Sequence, residues 1–184
     1  RREINKILLA FTNLLRPEIP ALLKAWNLLG LIDFIRAKSL LSNEYKCVVP
    51  EIHDEPMFLW RQARHPLLEH KLKSQDKHIT PLDLNLDKDN RILVISGPNA
   101  GGKSVCLKTI GLVQYMLQCG LAVPMEIDSK CGVFHDMFID IGDSQSLEND
   151  LSTYSSHLLN MKELIRQANK RTLFLIDEFG TGTE

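Results

Sequence analysis

The feature that most constrains the fold is a glycine-rich segment placed between an apolar run and a helical pattern. Residues 92–95 before it predict a buried strand, and the apolar spacing of residues 103–118 after it predicts a helix that ends near Gly120. The order of strand, glycine-rich loop and helix is typical of a phosphate-binding loop. The segment fits the pattern GxxxxGK followed by Ser or Thr, and its residues are Gly97, Pro98, Asn99, Ala100, Gly101, Gly102, Lys103 and Ser104.

The residue types of this loop suit a nucleoside triphosphate. Glycines let backbone N–H groups approach a β-phosphate without a Cβ in the way, and the start of the helix adds a partial positive charge. Lys103 would bring a full charge to the β and γ oxygens, and Ser104 would offer its hydroxyl to Mg²⁺, which prefers hard oxygen ligands. The loop therefore predicts binding of a nucleotide together with Mg²⁺.

A second apolar run ends in two adjacent carboxylates. Residues 173–176 predict a strand, and Asp177 and Glu178 follow it directly. Asp177 would reach the magnesium ion directly or through water, and Glu178 would orient or deprotonate the attacking water. Such a pair is a weak signal by itself, but downstream of a phosphate-binding loop it predicts hydrolysis.

Two short segments formally resemble guanine-nucleotide motifs. Residues 177–180 read DxxG, and residues 169–172 approach the pattern NKxD. Recognition of guanine needs a carboxylate that accepts from the ring N–H and the exocyclic amine, and Thr172 cannot supply one. ATP is therefore the predicted nucleotide.

The remaining pattern predicts an α/β fold preceded by helices. Residues 3–15 and 22–41 carry apolar side chains at helical spacing, with Pro17 and Pro20 between them. Further on, strand patterns at 134–141 and 173–176 alternate with a helical pattern at 154–168, which is typical of a mostly parallel sheet. We expect residues 1–50 to be the last helices of a helical core domain, and residues 51–184 to be the first part of an ATPase domain.

Charge and cysteine content restrict the setting of the protein. The 22 basic and 23 acidic residues give a net charge of -1, so no global positive field recruits nucleic acid or an anionic membrane. The four cysteines are far apart, which suits reduced thiols, and neither a leader nor a membrane-spanning run is present. We expect a soluble cytoplasmic protein. Because the sequence begins without Met and stops soon after the second strand, we also expect it to be a piece of a longer chain.

Five segments resemble the MutS-type ATPases, which act in DNA mismatch repair and recombination. Residues 97–104 resemble the family's GPNxGGK loop, and residues 177–184 resemble its continuation after the Asp-Glu pair. Arg64-His65-Pro66 is similar to the RHP motif that leads into the ATPase domain. Residues 140–147 and 151–157 are similar to the branch called MutS-II.

The resemblance implies an ABC-like P-loop ATPase domain that works as a homodimer and is coupled to DNA-binding regions outside this chain. It further implies that Ser152 and Thr153 lie at the signature position, which is presented across the dimer interface to the γ-phosphate bound by the partner. The expected role is Mg²⁺-dependent ATP hydrolysis in mismatch repair or in suppression of recombination.

Some features of the family are missing from the sequence. The Phe-x-Glu element that reads mismatches is not visible, the nuclease module of MutS-II would lie after Glu184, and the histidine that follows the Asp-Glu strand is absent. Two alternatives stay open. One is another ABC-type DNA-repair ATPase, although residues 151–154 do not read LSGGQ. The other is a nucleotide-binding module without hydrolysis, against which the retained Glu178 argues.

Overall fold

The computed structural model of the chain describes residues 1–98, 101–141, 161–162 and 164–177. The chain divides into two compact units, Arg1–Asn43 and Glu44–Glu184. The prediction of a domain boundary near residue 50 stays a prediction. The helices are α1 (Arg2–Leu15), α2 (Ile19–Glu44), α3 (Pro66–Lys73) and α4 (Lys103–Gln118), and the strands are β1 (Glu51–His53), β2 (Phe58–Ala63), β3 (Leu82–Leu86), β4 (Lys130–Gly132), β5 (Asp136–Asp140) and β6 (Thr172–Ile176).

The first unit consists of α1 and α2, joined by a single 3₁₀ turn, Arg16–Glu18. Pro17 lies in this turn and Pro20 is the second residue of α2, where the missing N–H breaks no helical hydrogen bond. The predicted break between two helices is thus confirmed. Neither helix has a buried residue, and Trp26 is 71% exposed. Among the helices that the structure describes, none has the length and apolar content needed to cross a membrane.

The core of the second unit lies where α4 packs against the strands. Trp60 is fully buried, and the ring of Phe58 meets it edge to face with 5.0 Å between centroids. Phe58 also stacks on Phe134, again at 5.0 Å. Aromatic pairs of this kind add to the free energy of burying their apolar surface. Helix α4 contributes its apolar face to the same core through Ile110, Val113, Met116 and Leu117.

The strands form two sheets. The first has the order β1-β4-β2-β3, in which β1 and β4 are parallel while β2 runs antiparallel to both β4 and β3. The second consists of β5 and β6, paired in parallel from Asp136 and Thr172 to Asp140 and Ile176. The predicted α/β class is confirmed. The pairings of the described strands are mixed, so they do not establish a mostly parallel sheet.

The strand predicted at residues 92–95 is wrong. The structure has no strand there, and the side chains of Ile92 and Val94 are 85% and 83% exposed. A strand exists only where its backbone groups pair with a neighbour. Within the described part of the chain no strand pairs with this segment. Its apolar composition predicted burial, but composition does not supply a partner.

Other predictions that rested on local signals are confirmed where the structure describes the residues. Helix α4 has the predicted bounds, and Gly120 takes a left-handed conformation with φ 73° while the N–H of Leu121 donates to the carbonyl of Met116 at 3.0 Å. Strands β5 and β6 overlap the predicted strands. Residues 161–162 and 164–167 are helical, as predicted, whereas residues 154–160 of that pattern lie outside the described residues.

A methyl group at Gly132 should destabilise the second unit. A Cβ at this position would lie 2.2 Å from the backbone nitrogen of Met57 and 2.3 Å from the carbonyl oxygen of Glu55, so backbone would have to move. We expect Gly132→Ala to lower the free energy of unfolding by roughly 2 kcal/mol or more, measured by urea denaturation. The matched control is Gly30→Ala in α2, where nothing lies within 4 Å and the change should stabilise by about 0.5 kcal/mol. Equal effects of the two changes would contradict the packing described.

Candidate nucleotide-binding site

The glycine-rich loop turns directly into α4. The N–H of Gly101 donates to the carbonyl of Pro98 at 2.8 Å, and the N–H of Cys106 donates to the carbonyl of Gly102 at 2.9 Å, which starts the helix. Gly102 caps the helix in a left-handed conformation, φ 85° and ψ 14°. Because this conformation is costly for a side chain with a Cβ, a glycine is needed here for its backbone freedom. The open space around Gly102 shows that steric room is not the reason.

The ammonium group of Lys103 lies back over the loop. Lys103 is the first residue of α4, and its Nζ donates to the carbonyl oxygen of Gly97 at 2.5 Å. Ser104 follows at the second position of the helix. A full positive charge, a hydroxyl and the first backbone N–H groups of a helix therefore lie at one place. This combination is suited to binding an anion such as phosphate.

Helix α4 contacts the strand pair β5–β6, which Asp177 directly follows. A Cβ at Gly111 would lie 3.0 Å from Cδ1 of Leu175 and 3.3 Å from Cδ1 of Ile139, so α4 approaches β5 and β6 closely at this residue. The backbone N–H of Asp177 donates to the carbonyl of Asp140 at 2.9 Å, which extends the parallel pairing one residue beyond β6. Asp177 thus lies at the edge where the carboxyl ends of the two parallel strands meet. Ligands of open α/β sheets bind at such edges.

The structure describes part of the predicted site. Gly97, Pro98, Gly101, Gly102, Lys103, Ser104 and Asp177 lie in the described residues, and the contacts above place the first six in one loop and helix start. Asn99, Ala100, Ser152, Thr153 and Glu178 lie outside the described residues. The roles assigned to all of these residues stay predictions.

Arg64 of the RHP segment and Glu69 form an ion pair that the sequence analysis did not predict. The guanidinium of Arg64 contacts Glu69 at 3.2 Å and donates to the carbonyl of Tyr45 at 2.9 Å. Glu69 is buried and also contacts Lys73 at 3.0 Å. These contacts hold α3 against the chain that precedes β1. The spacing of Arg and Glu five residues apart, across a helix start, was the only sequence signal of this pair.

His65 caps the same helix. Its Nδ1 accepts a hydrogen bond from the N–H of Leu68 at 3.3 Å, which requires the neutral imidazole. Partial burial lowers the pKa of His65, and the nearby charge of Lys108 lowers it further. A cavity of about 240 Å³ lies between α3 and α4. His65 lines this cavity together with residues from the first turns of α4. The cavity is lined by His65, Leu67, Leu68, Lys71, Val105 and Lys108.

Comparison with known proteins decides the family. Residues 93–184, which include the loop, α4 and the strand β6 that precedes Asp177, match the family described as MutS domain V. The chain belongs to the MutS family. The predicted resemblance to MutS-type proteins is therefore confirmed.

Relatives within this family point to one branch. The chain is 40% identical over all 184 of its residues to Endonuclease MutS2 from Levilactobacillus brevis, and it covers 23% of that protein. It is 42% identical over 181 residues to Endonuclease MutS2 from Carboxydothermus hydrogenoformans, which is 98% of this chain and 22% of the relative. A third similar protein, Endonuclease MutS2 from Streptococcus agalactiae, is 42% identical over 184 residues. The chain thus belongs to the MutS2 branch and spans less than a quarter of these relatives.

The left-handed conformation of Gly102 leads to a prediction about this MutS-family loop. We expect Gly102→Ala to lower the free energy of unfolding by about 1–2 kcal/mol, because Ala strains the backbone at positive φ. Asn tolerates this region better, so Gly102→Asn should cost about half as much. Thermal or urea denaturation measures both changes. As a control, Gly101→Ala would place its Cβ 3.4 Å from Pro98, an ordinary contact, and should change stability by less than about 0.5 kcal/mol. Equal losses for Ala and Asn at position 102 would rule out backbone strain.

Proposed function

We propose that this chain binds ATP with Mg²⁺ and forms part of the ATPase of a MutS-type protein, which acts on DNA in mismatch repair or in suppression of recombination. The observation that carries the proposal is the position of Lys103, whose ammonium group lies at the carbonyl of Gly97 across the glycine-rich loop and at the start of α4. Membership of the MutS family supports it.

The described residues fit a bound nucleotide and Mg²⁺. Gly102 turns the backbone so that the N–H groups of the first helical turn follow the loop, and Lys103 supplies the charge. We propose that Ser104 and Asp177 hold Mg²⁺ with hydroxyl and carboxylate oxygens, the ligand types that this ion prefers. When bound, the ion would neutralise negative charge on the phosphates.

Hydrolysis would depend on residues near the end of β6 and on a second subunit. We propose that Glu178, which follows Asp177 in the sequence, accepts a proton from the attacking water. Ser152 and Thr153 would contact the γ-phosphate bound by the other copy of a homodimer, adding hydrogen-bond donors that one loop does not supply. A module that binds ATP without hydrolysis is the alternative, and the carboxylate at position 178 favours hydrolysis.

The turn before β6 supports ATP over GTP. The side chain of Asn169 accepts from the N–H of Arg171 at 2.7 Å and donates to Asp136 at 2.8 Å. The hydroxyl of Thr172 accepts from the N–H of Asn169 at 3.0 Å. Asn169 and Thr172, two of the residues that resembled a guanine-binding motif, thus form hydrogen bonds in the turn that leads into β6.

We propose that DNA is bound through parts of the full-length protein other than this chain, because the chain has a net charge of -1 and spans only 23% of a typical relative. The helices of residues 1–50 would belong to a helical core domain, which agrees with their exposed apolar side chains. The name of these relatives, Endonuclease MutS2, describes an endonuclease activity. We assign that activity to other parts of the full-length protein, which we expect to be cytoplasmic.

ATP with Mg²⁺ should raise the melting temperature of the protein, because a ligand that binds only the folded state stabilises it. At 100 times its dissociation constant the stabilisation is about 2.7 kcal/mol, which corresponds to a shift on the order of 5–10 °C. Differential scanning fluorimetry measures the shift. Lys103→Ala should abolish it. A shift that survives Lys103→Ala, or that is larger with GTP than with ATP, would refute the assignment.

The two carboxylates should separate binding from turnover in the full-length protein. Glu178→Gln should bind ATP normally yet hydrolyse it roughly 100-fold more slowly or worse, because an amide can hold water but cannot accept its proton. Asp177→Asn should instead weaken the Mg²⁺-dependent part of binding. Equilibrium titration and steady-state hydrolysis distinguish the two effects. Normal turnover by Glu178→Gln would remove the proposed base, and a parent that binds but never hydrolyses ATP would favour the binding module.

A further inference from the structure

A buried amide joins the middle of α4 to the end of β4. Gln114 is fully buried, and its Nε2 donates to the carbonyl of Gly132 at 2.8 Å and to Oε1 of Gln118 at 2.9 Å. The same oxygen of Gln118 accepts from the backbone N–H of Phe134 at 2.9 Å. Two glutamines one helical turn apart thus connect α4 to the chain between β4 and β5.

The backbone that receives these hydrogen bonds is held firmly. The N–H of Gly132 donates to the carbonyl of Met57 at 2.8 Å, and the N–H of Val133 donates to the carbonyl of His53 at 3.1 Å. Gly132 also has no room for a Cβ beside Glu55 and Met57. The carbonyl of Gly132 is therefore a fixed point. Because a hydrogen bond is directional, a side chain bonded to this point resists both sliding and rotation of the helix that carries it.

If this buried position contributed only to stability, an apolar residue would be expected there instead of Gln114. Its Oε1 is buried and accepts no hydrogen bond from any residue that the structure describes. An amide with one unsatisfied group contributes less to stability than an apolar side chain of similar size. The hydrogen bond from Gln114 to the carbonyl of Gly132, together with the one from the N–H of Phe134 to Gln118, instead specifies where α4 sits against the chain around β4.

The opposite end of α4 carries the residues of the proposed nucleotide site. Lys103 lies eleven residues before Gln114, about 16 Å away along a rigid helix. We infer that Gln114 is a positioning residue, which sets the axial position of α4 and thereby places Lys103 and Ser104 for phosphate binding. The inference rests on the proposed function.

The test compares a change at Gln114 with a core change that leaves α4 intact. In the full-length protein, Gln114→Met preserves side-chain length and removes the amide. The matched control is Leu84→Ala on β3, a buried core residue. Both variants are titrated with a fluorescent ATP analogue and Mg²⁺ well below their melting temperatures, where a loss of stability alone leaves the dissociation constant unchanged. We expect Gln114→Met to weaken binding about two- to tenfold, with the free energy of about one net hydrogen bond as the upper limit, and Leu84→Ala to bind like the parent.

Gln118→Met provides the second measurement. Gln118 is exposed, so its replacement should fold even if Gln114→Met does not. It should weaken binding in the same direction, and the double change should add less than the two single effects combined, since both belong to one hydrogen-bonded unit. Parental affinity in Gln114→Met or, if that variant does not fold, in Gln118→Met overturns the inference, as does an equal loss in Leu84→Ala. A parent that fails to bind ATP would instead overturn the proposed function, and the inference with it.

Discussion

The packing of α4 against the strands is the interaction on which the second unit depends. The helix buries Ile110, Val113, Met116 and Leu117 in the same core as Phe58 and Trp60 from β2 and Leu173 and Leu175 from β6. Burial of this apolar surface is the main favourable term that holds helix and strands together. None of the described residues of the glycine-rich loop belongs to this core. Its geometry is therefore inherited from the placement of α4.

Sequence reasoning succeeded where the signal was local. The bounds of α4 followed from its apolar period and from Gly120, which ends the helix in a left-handed conformation that glycine adopts at little cost. Strand β6 followed from a compact apolar run between a polar turn and two acids. For the candidate site, sequence alone indicated the loop, and the structure added the contact between Lys103 and Gly97. The catalytic assignments of Glu178 and Ser152 stay predictions.

Sequence reasoning failed where structure depends on distant partners. Strands β1 and β4 are three residues long; β1 depends on β4 as its partner, and β4 pairs with both β1 and β2. Strand β2 changes register between Trp60 and Ala63, where Gln62 has φ 51°, so no regular alternation marks it. Residues 92–95 show the opposite error: their apolar composition predicted a strand, but no strand among the described residues pairs with them. A short stretch of sequence does not reveal pairing between strands that are so far apart along the chain.

Gly111 determines how closely α4 can approach the strands beside the proposed site. The distance between α4 and the strands β5 and β6 is limited by the side chains of Leu175 and Ile139, which already touch the space where a Cβ would stand. Helix α4 carries Lys103 and β6 leads to Asp177, so the close approach at Gly111 helps to set the separation between the two charged groups of the proposed site. An alanine at this point would require the ends of these two side chains to give by a few tenths of an ångström, and a larger side chain would press α4 away from the strands. It would widen the gap between lysine and carboxylate without touching either of them.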